Sequence, residues 1–208
     1  MIGDIYFNTI AMIKKVVFVI ASEGFQPIEY GDAKKALEVA GHQVVTVSDK
    51  AGVAVAGDGS EVKVDLTVRD LVANHLTPAP LLGKERATYD ALFFIGGPGA
   101  LAHLDNEESY KLLREWEKIG KPDFAKATPG KPYGAICISP RILAKAGVLQ
   151  NKKATGWDND GELAGILSAL GAEYVREPVV VDGNLITANG PSAAREWGET
   201  IAEMLNKI

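Results

Sequence analysis

At 208 residues, 47% hydrophobic and 24% charged, the chain has the composition of one globular domain that buries a core without disulfide or metal staples, which excludes disordered, collagen-like and coiled-coil readings. A net charge of −5 argues against a nucleic-acid surface, and no uncharged apolar run reaches the roughly 18 residues of a membrane span. The single cysteine, Cys137, excludes an internal disulfide and any zinc site that needs two thiolates, and the cytoplasm is the expected compartment.

Residues 1–12 lack the basic start, apolar stretch and small-residue cleavage site of a signal peptide. They are expected to form a loose or dispensable arm, and 13–208 a single domain. Apolar, β-branched runs at 16–20, 44–47, 91–95 and 133–136 predict buried parallel strands. Shorter runs at 179–181 and 185–187 flank Asp182-Gly183 and predict a hairpin. Helical spacing appears at Ala33, Ala36, Leu37 and Ala40, closed by Gly41. It recurs at Leu163, Ile166, Leu167 and Leu170, closed by Gly171. A last helix runs from Pro191 with Ala194, Trp197, Ile201, Met204 and Leu205 on one stripe. Between residues 50 and 84 a turn at Gly57-Asp58-Gly59 and the breaker Thr77-Pro78-Ala79-Pro80 predict a β-hairpin and a short helix. Strands alternating with helices specify an α/β fold, a three-layer α/β/α sandwich with a mainly parallel sheet and a C-terminal antiparallel hairpin.

In such sheets ligands bind at the C-terminal strand ends. Three loops lie there: residues 21–29, 96–100 and 134–140. In the third, an apolar strand runs through Cys137 into a helix with Pro140 in its first turn, the layout of a nucleophile elbow with sulfur in place of a hydroxyl. Unpaired amides and the positive dipole end of a helix favour the thiolate, so the expectation is a lowered thiol pKa. A buried structural cysteine is the bland alternative. Gly96-Gly97-Pro98-Gly99 has no Lys-Ser/Thr for a phosphate loop. Its glycines suggest backbone pressed close to something, and its amides, with that of Ile138, could form an oxyanion hole. A plain tight turn is the alternative. Glu29, at the start of the first helix, and Glu23 have equal local claims to a role. Of His42, His75 and His103, only His103 follows a candidate loop, and none has metal-ligand spacing.

These motifs in this order resemble the ThiJ/PfpI superfamily. The chain resembles it from about residue 14 onward, through Lys-Lys-Val-Val-Phe-Val-Ile at 14–20, Glu29, Phe-Ile-Gly-Gly at 94–97, Ala-Ile-Cys-Ile-Ser-Pro at 135–140, the hairpin at 179–187 and Gly190-Pro191. The resemblance implies a flavodoxin-like fold, with Cys137 as nucleophile and Glu29 as its protonated carboxyl partner. It further implies oxyanion donors at the Gly97 and Ile138 amides, and a homodimer. Gly96, Pro98, Ser139 and Trp157 are expected around the substrate pocket. Peptidase-like members of that superfamily carry histidine directly after the cysteine, where this chain has Ile138. Others supply one near residues 154–158, where Trp157 stands. General acid–base work then falls to Glu29.

The expected function is a glyoxalase or deglycase reaction on a small α-oxoaldehyde or its amine adduct, with no cofactor and no metal. The alternatives are a redox, stress-response or chaperone role centred on an oxidisable thiol, and last a peptidase.

Overall fold

The computed structural model describes residues 12–73, 88–120 and 130–208. The expectations for the N-terminal arm, His75 and the break at 77–80 lie outside those residues.

The first strand, β1 (Lys15–Ile20), is buried from Val16 onward, so it cannot face water on either side and must sit inside a covered sheet. It pairs in parallel with β3 (Gln43–Ser48) on one side and β7 (Ala91–Phe94) on the other. The sheet continues from β7 through β8 (Tyr133–Ile136) to β12 (Leu185–Ala188). There β11 (Val179–Asp182) closes the edge antiparallel. A short β6 (Leu66–Thr67) pairs with β3 at the opposite edge. The result is a seven-stranded sheet of order β11-β12-β8-β7-β1-β3-β6. The order reverses between β1 and β7, and the C-terminal side of that reversal is where an open α/β sheet leaves a crevice.

Helices cover the sheet in two groups, which right-handed crossovers place on opposite faces. α1 (Pro27–Val39) packs against α7 (Ala194–Leu205), and α4 (Glu107–Ile119) packs against α5 (Pro140–Ala146). On the α7 side, the indole of Trp197 stacks on Phe18 at 6.0 Å, meets Phe93 edge-on at 5.3 Å and donates to the Ile186 carbonyl. α7 follows a 3-10 turn at Pro191–Ala193. The inserted hairpin is β4 (Val53–Ala56) with β5 (Glu61–Lys63), joined where Asp58 Oδ1 accepts from the Ser60 amide and hydroxyl. The short helix after it is α2 (Val68–Leu71), held by a reciprocal Thr67–Asp70 cap.

The sequence reading passes over β2 (Glu23–Phe25), which pairs with β4 rather than joining the main sheet. It also misses the small helix α3 (Ala100–Leu104) and the two-residue strands β9 (Lys153–Ala154) and β10 (Glu173–Tyr174). The larger omission is α4, whose apolar stripe of Leu112, Leu113 and Trp116 is set in a charged segment and started by the Asn106 cap. α6 (Leu163–Ala169) lies where the periodicity places it.

Candidate active site

Cys137 follows the last residue of β8, and α5 begins three residues later. The chain must turn sharply there, and Cys137 takes φ 63°, a left-handed conformation that costs an L-residue roughly 1–2 kcal/mol. Its own peptide groups hold it in place. Its N–H donates to the Ala188 carbonyl of β12 at 2.9 Å, and its C=O accepts from the Trp157 amide at 2.7 Å. The strain is therefore fixed from two neighbouring segments, as functional turns commonly are. The amides of Gly97 and Ile138 are directed at the sulfur and favour its charged form.

Glu29 reaches the same point from α1. Gln26 caps that helix by accepting the Ile28 amide at 2.9 Å, and Pro27 starts it, which leaves Glu29 in the first turn facing inward with 0% of its surface exposed. Oε2 accepts from the Gly96 amide at 2.9 Å, while Oε1 is buried without a partner. The carboxyl also meets the Cys137 thiol. Gly96 lets the groups converge: a Cβ there would lie 2.6 Å from Cys137 Cβ and 2.8 Å from Glu29 Oε2. At Gly97, φ is 115°, and a Cβ would stand 2.5 Å from the Gln26 nitrogen and from the Gly24 carbonyl oxygen. What the glycine loop presses against is thus the chain's own 24–26 segment. Glu23 stands elsewhere, exposed and paired with Lys50 at 3.6 Å.

Burial lifts the Glu29 carboxyl from 4.5 to about 7, against the opposing pull of its bonds to Cys137 and Gly96. Burial, then the neighbouring Glu29 charge, push the Cys137 thiol up to about 12. That reverses the direction expected from the helix end. The two amides do act on the sulfur, but desolvation and a carboxylate at contact distance outweigh them. Near neutral pH the thiol therefore keeps its proton while the carboxyl is close to half ionised, so what negative charge the pair carries rests on Glu29.

A pocket of about 430 Å³ opens over the sulfur, lined by Gln26, Pro98, Leu101, Ile138, Trp157 and Pro191, with Cys137 and Gly97 on its floor. Pro98 and Trp157 stand in this wall as expected positions, whereas Gly96 and Ser139 do not line it. The peptide of Gly96 is turned to Glu29, and Ser139 is fully buried with its hydroxyl donating 2.8 Å to the Ile95 carbonyl, tying the elbow to β7. Gln26, Leu101 and Pro191 carry no local signal of pocket position.

Arg141, also unsuspected from sequence, sits in the first turn of α5 with 6% of its surface exposed. One guanidinium nitrogen lies 2.7 Å from both Asp160 carboxylate oxygens, and the group covers the Trp157 ring at 5.8 Å. This clamps the indole against the pocket. Among the described residues no histidine lines the pocket. His103 pairs with Asp49 at 3.4 Å, and His42 is buried with both ring nitrogens unpartnered. Nor do three or more His, Cys, Asp or Glu side chains converge in a metal-binding group among the described residues.

The profile of the DJ-1/PfpI family matches residues 14–204. Deglycase PfpI of Pyrococcus furiosus is 29% identical over 191 residues, covering 92% of this chain and 99% of its own. YraA of Bacillus subtilis, whose name proposes a cysteine protease, is 32% identical over 180 residues, 85% of this chain and 90% of its own. Among solved structures, DJ-1beta of Drosophila melanogaster superposes with a TM-score of 0.75 at 25% identity, over 95% of this chain and 92% of its own. A ThiJ/PfpI domain protein of Brachyspira murdochii gives 0.76 at 23% identity, over 94% and 98%.

Proposed function

Because the chain belongs to the DJ-1/PfpI family, we propose that it is a cofactor-independent glyoxalase or deglycase-type enzyme that converts small α-oxoaldehydes, free or as adducts, to hydroxy acids. The observation that carries this reading is the meeting of a buried carboxyl of pKa about 7 with the one thiol, at the floor of an apolar pocket. A group titrating near neutrality serves equally as proton acceptor and donor.

With methylglyoxal the steps balance without any external oxidant. The Glu29 carboxylate takes the thiol proton as sulfur adds to the aldehyde carbon, and that proton passes to the carbonyl oxygen, giving a hemithioacetal. The Gly97 and Ile138 amides stabilise oxygen charge as it develops. The carboxylate then removes the proton from the former aldehyde carbon, and that C–H electron pair forms the double bond of an enediolate with its charge on the former ketone oxygen. The proton returns to the adjacent carbon while the hydroxyl proton moves to that oxygen, leaving the lactoyl thioester. Water hydrolyses the thioester to lactate and frees the thiol. Methylglyoxal plus water becomes lactate, with carbon oxidised at one position and reduced at the next.

A peptidase role has little support here, because a cysteine–histidine pair needs an imidazole at the sulfur, and Ile138 and Trp157 occupy the candidate positions. The redox reading is weakened by a thiol held in its neutral form, since oxidation follows thiolate character. A homodimer in the cell interior remains part of the proposal on the strength of family membership.

The test is lactate formation from methylglyoxal by the purified protein, followed by proton NMR. Turnover should fall at least about a thousandfold in Cys137→Ser. Wild-type rates in that variant, or no lactate from the wild type, would overturn the proposal.

A further inference from the structure

Trp157 puts an indole in the wall of the cysteine pocket, and its main chain is pinned to the elbow. Its amide donates to the Cys137 carbonyl at 2.7 Å. The residue before it lies flat on the same turn: a Cβ at Gly156 would stand 2.8 Å from the Cys137 carbonyl oxygen and 3.1 Å from Pro140 Cγ. These contacts fix where the side chain starts, not where the ring points. An indole on a fixed backbone still has χ1 and χ2 to settle, and packing against its face selects the setting. One face is covered by the Arg141 guanidinium, 5.8 Å from the ring centre. Arg141 does not itself line the pocket. It is held by Asp160, both of whose oxygens lie 2.7 Å from one guanidinium nitrogen, while its buried Nε has no partner. Asp160 is placed in turn by a closed loop: its Oδ1 accepts the Glu162 amide at 3.1 Å, and the Asp158 carbonyl accepts the Gly161 amide at 3.0 Å.

We propose that Arg141 is a positioning residue for substrate: it sets the Trp157 indole as the flat wall on which the carbon substituent of the carbonyl compound packs. The proposal rests on the carbonyl chemistry at Cys137 and adds what selects the substituent. Burying a guanidinium gains little stability, because lost hydration offsets the attraction of its partner. Leaving its Nε without a hydrogen bond costs more. What the arrangement secures is geometry, since a planar cation stacks on an indole face where an aliphatic chain would slide. Arg141 acts on neither reacting group. Burial, each other and the Gly96, Gly97 and Ile138 amides set the Cys137 thiol and the Glu29 carboxyl. Its loss should therefore weaken binding without slowing the chemical step.

The test reads the ring directly. Protein labelled with 5-fluorotryptophan gives a fluorine resonance for each of its three tryptophans, and the one absent from Trp157→Phe belongs to Trp157. Arg141→Leu should move that resonance and leave those of Trp116 and Trp197, both buried in the core, in place. The variant should fold, because the Asp160 side chain is 30% exposed and stays hydrated without its partner. Asp160→Asn, which releases the guanidinium from the other side, should give the same shift, and Arg141→Lys, which restores a cation, a smaller one. In a Cys137→Ser background, acetophenone, a stable aryl ketone, should bind about fivefold more weakly once Arg141→Leu is added. With Cys137 intact, Arg141→Leu should raise KM about fivefold for 3-methyl-2-oxobutanal and about twofold for methylglyoxal, with kcat within about twofold for both. A Trp157 resonance unmoved in both Arg141→Leu and Asp160→Asn, three resonances moving together, or a fall in kcat at unchanged KM overturns the inference. A moved Trp157 resonance with weakened acetophenone binding, in a protein that makes no lactate, sustains the inference and overturns the carbonyl reaction.

Discussion

At the N-terminal ends of the strands, a cavity of about 600 Å³ is walled by Tyr133, Asn184, Met204 and Ile208, among others. At the C-terminal ends, the pocket over Cys137 holds about 430 Å³. Size would choose the former. The uncharged polar side chains in its wall, however, are occupied: the Tyr133 hydroxyl donates to the Val148 carbonyl at 2.9 Å and the Asn184 amide to the Lys131 carbonyl at 2.8 Å. The smaller pocket has a cysteine at φ 63° on its floor, and that cysteine meets a buried carboxyl, one oxygen of which has no partner. A fold retains strain and an unsatisfied buried group only where the surroundings impose them, and such places are commonly functional. Strain and an unsatisfied buried group, rather than volume, separate the two cavities.

The largest effect expected from breaking this contrast is at Glu29. Glu29→Gln keeps the shape but cannot exchange a proton, so methylglyoxal turnover should fall about a hundredfold or more. Stability should move the other way. The folded-state pKa is about 7 against 4.5 for a free carboxyl, so the fold binds the proton more tightly than the unfolded chain. Its stabilising contribution is complete below pH 4.5 and lost as pH rises through 7, on the order of 3 kcal/mol by linkage. The glutamine variant should be free of that loss, gaining on the wild type between pH 5 and 8 in urea unfolding. Parallel pH–stability curves for the two proteins would contradict a buried, proton-holding carboxyl.

A smaller and more direct contrast comes from filling each cavity. Leu101→Trp puts an indole into the cysteine pocket and should lower kcat/KM for methylglyoxal by about tenfold, or 1.4 kcal/mol of barrier. Met204→Trp fills the opposite cavity and should leave kcat/KM within about twofold. Loss of activity in the second variant with none in the first would assign function to the wrong end of the sheet.

How much of this was legible in the sequence follows from the range of the forces involved. β1, β7 and β8 announce themselves as unbroken apolar runs because each is covered on both faces. The elbow is likewise local, since strand, cysteine and Pro140 are contiguous. Glu29 is different: without the family resemblance its claim equals that of Glu23, because what buries it is a bond to Gly96, 67 positions away. The same distance hides Pro191 and Arg141, whose parts in the pocket arise only when the loop carrying Trp157 and Asp160 folds across α5. The thiol shows the limit most plainly. Helix-end dipoles can be read from local order, but the desolvation and the carboxylate that overrule them come from the packed fold.

The smallest expected effect lies at the other end of the sheet, and it tests whether an unpartnered buried group must be functional. His42, just before β3, is buried with both ring nitrogens unpartnered. Burial holds its pKa below the ordinary histidine value of 6.5, opposed first by the backbone of Ala202 and then by the Asp90 charge, with the Lys14 charge acting in the same direction as burial. The unfolded chain therefore binds this proton more readily, and stability contributed by the neutral imidazole is lost as pH falls below 6.5. His42→Phe removes the titration, so its Tm should hold up better than the wild type's between pH 6.5 and 5. The difference should stay within about 4 °C, the shift that ~1 kcal/mol gives a chain of this size. Methylglyoxal turnover in this variant should match the wild type at neutral pH. Were turnover to fall with the fold intact, an orphaned polar atom at the N-terminal end would matter to the chemistry, and the distinction between the two ends would have to rest on the strained cysteine alone.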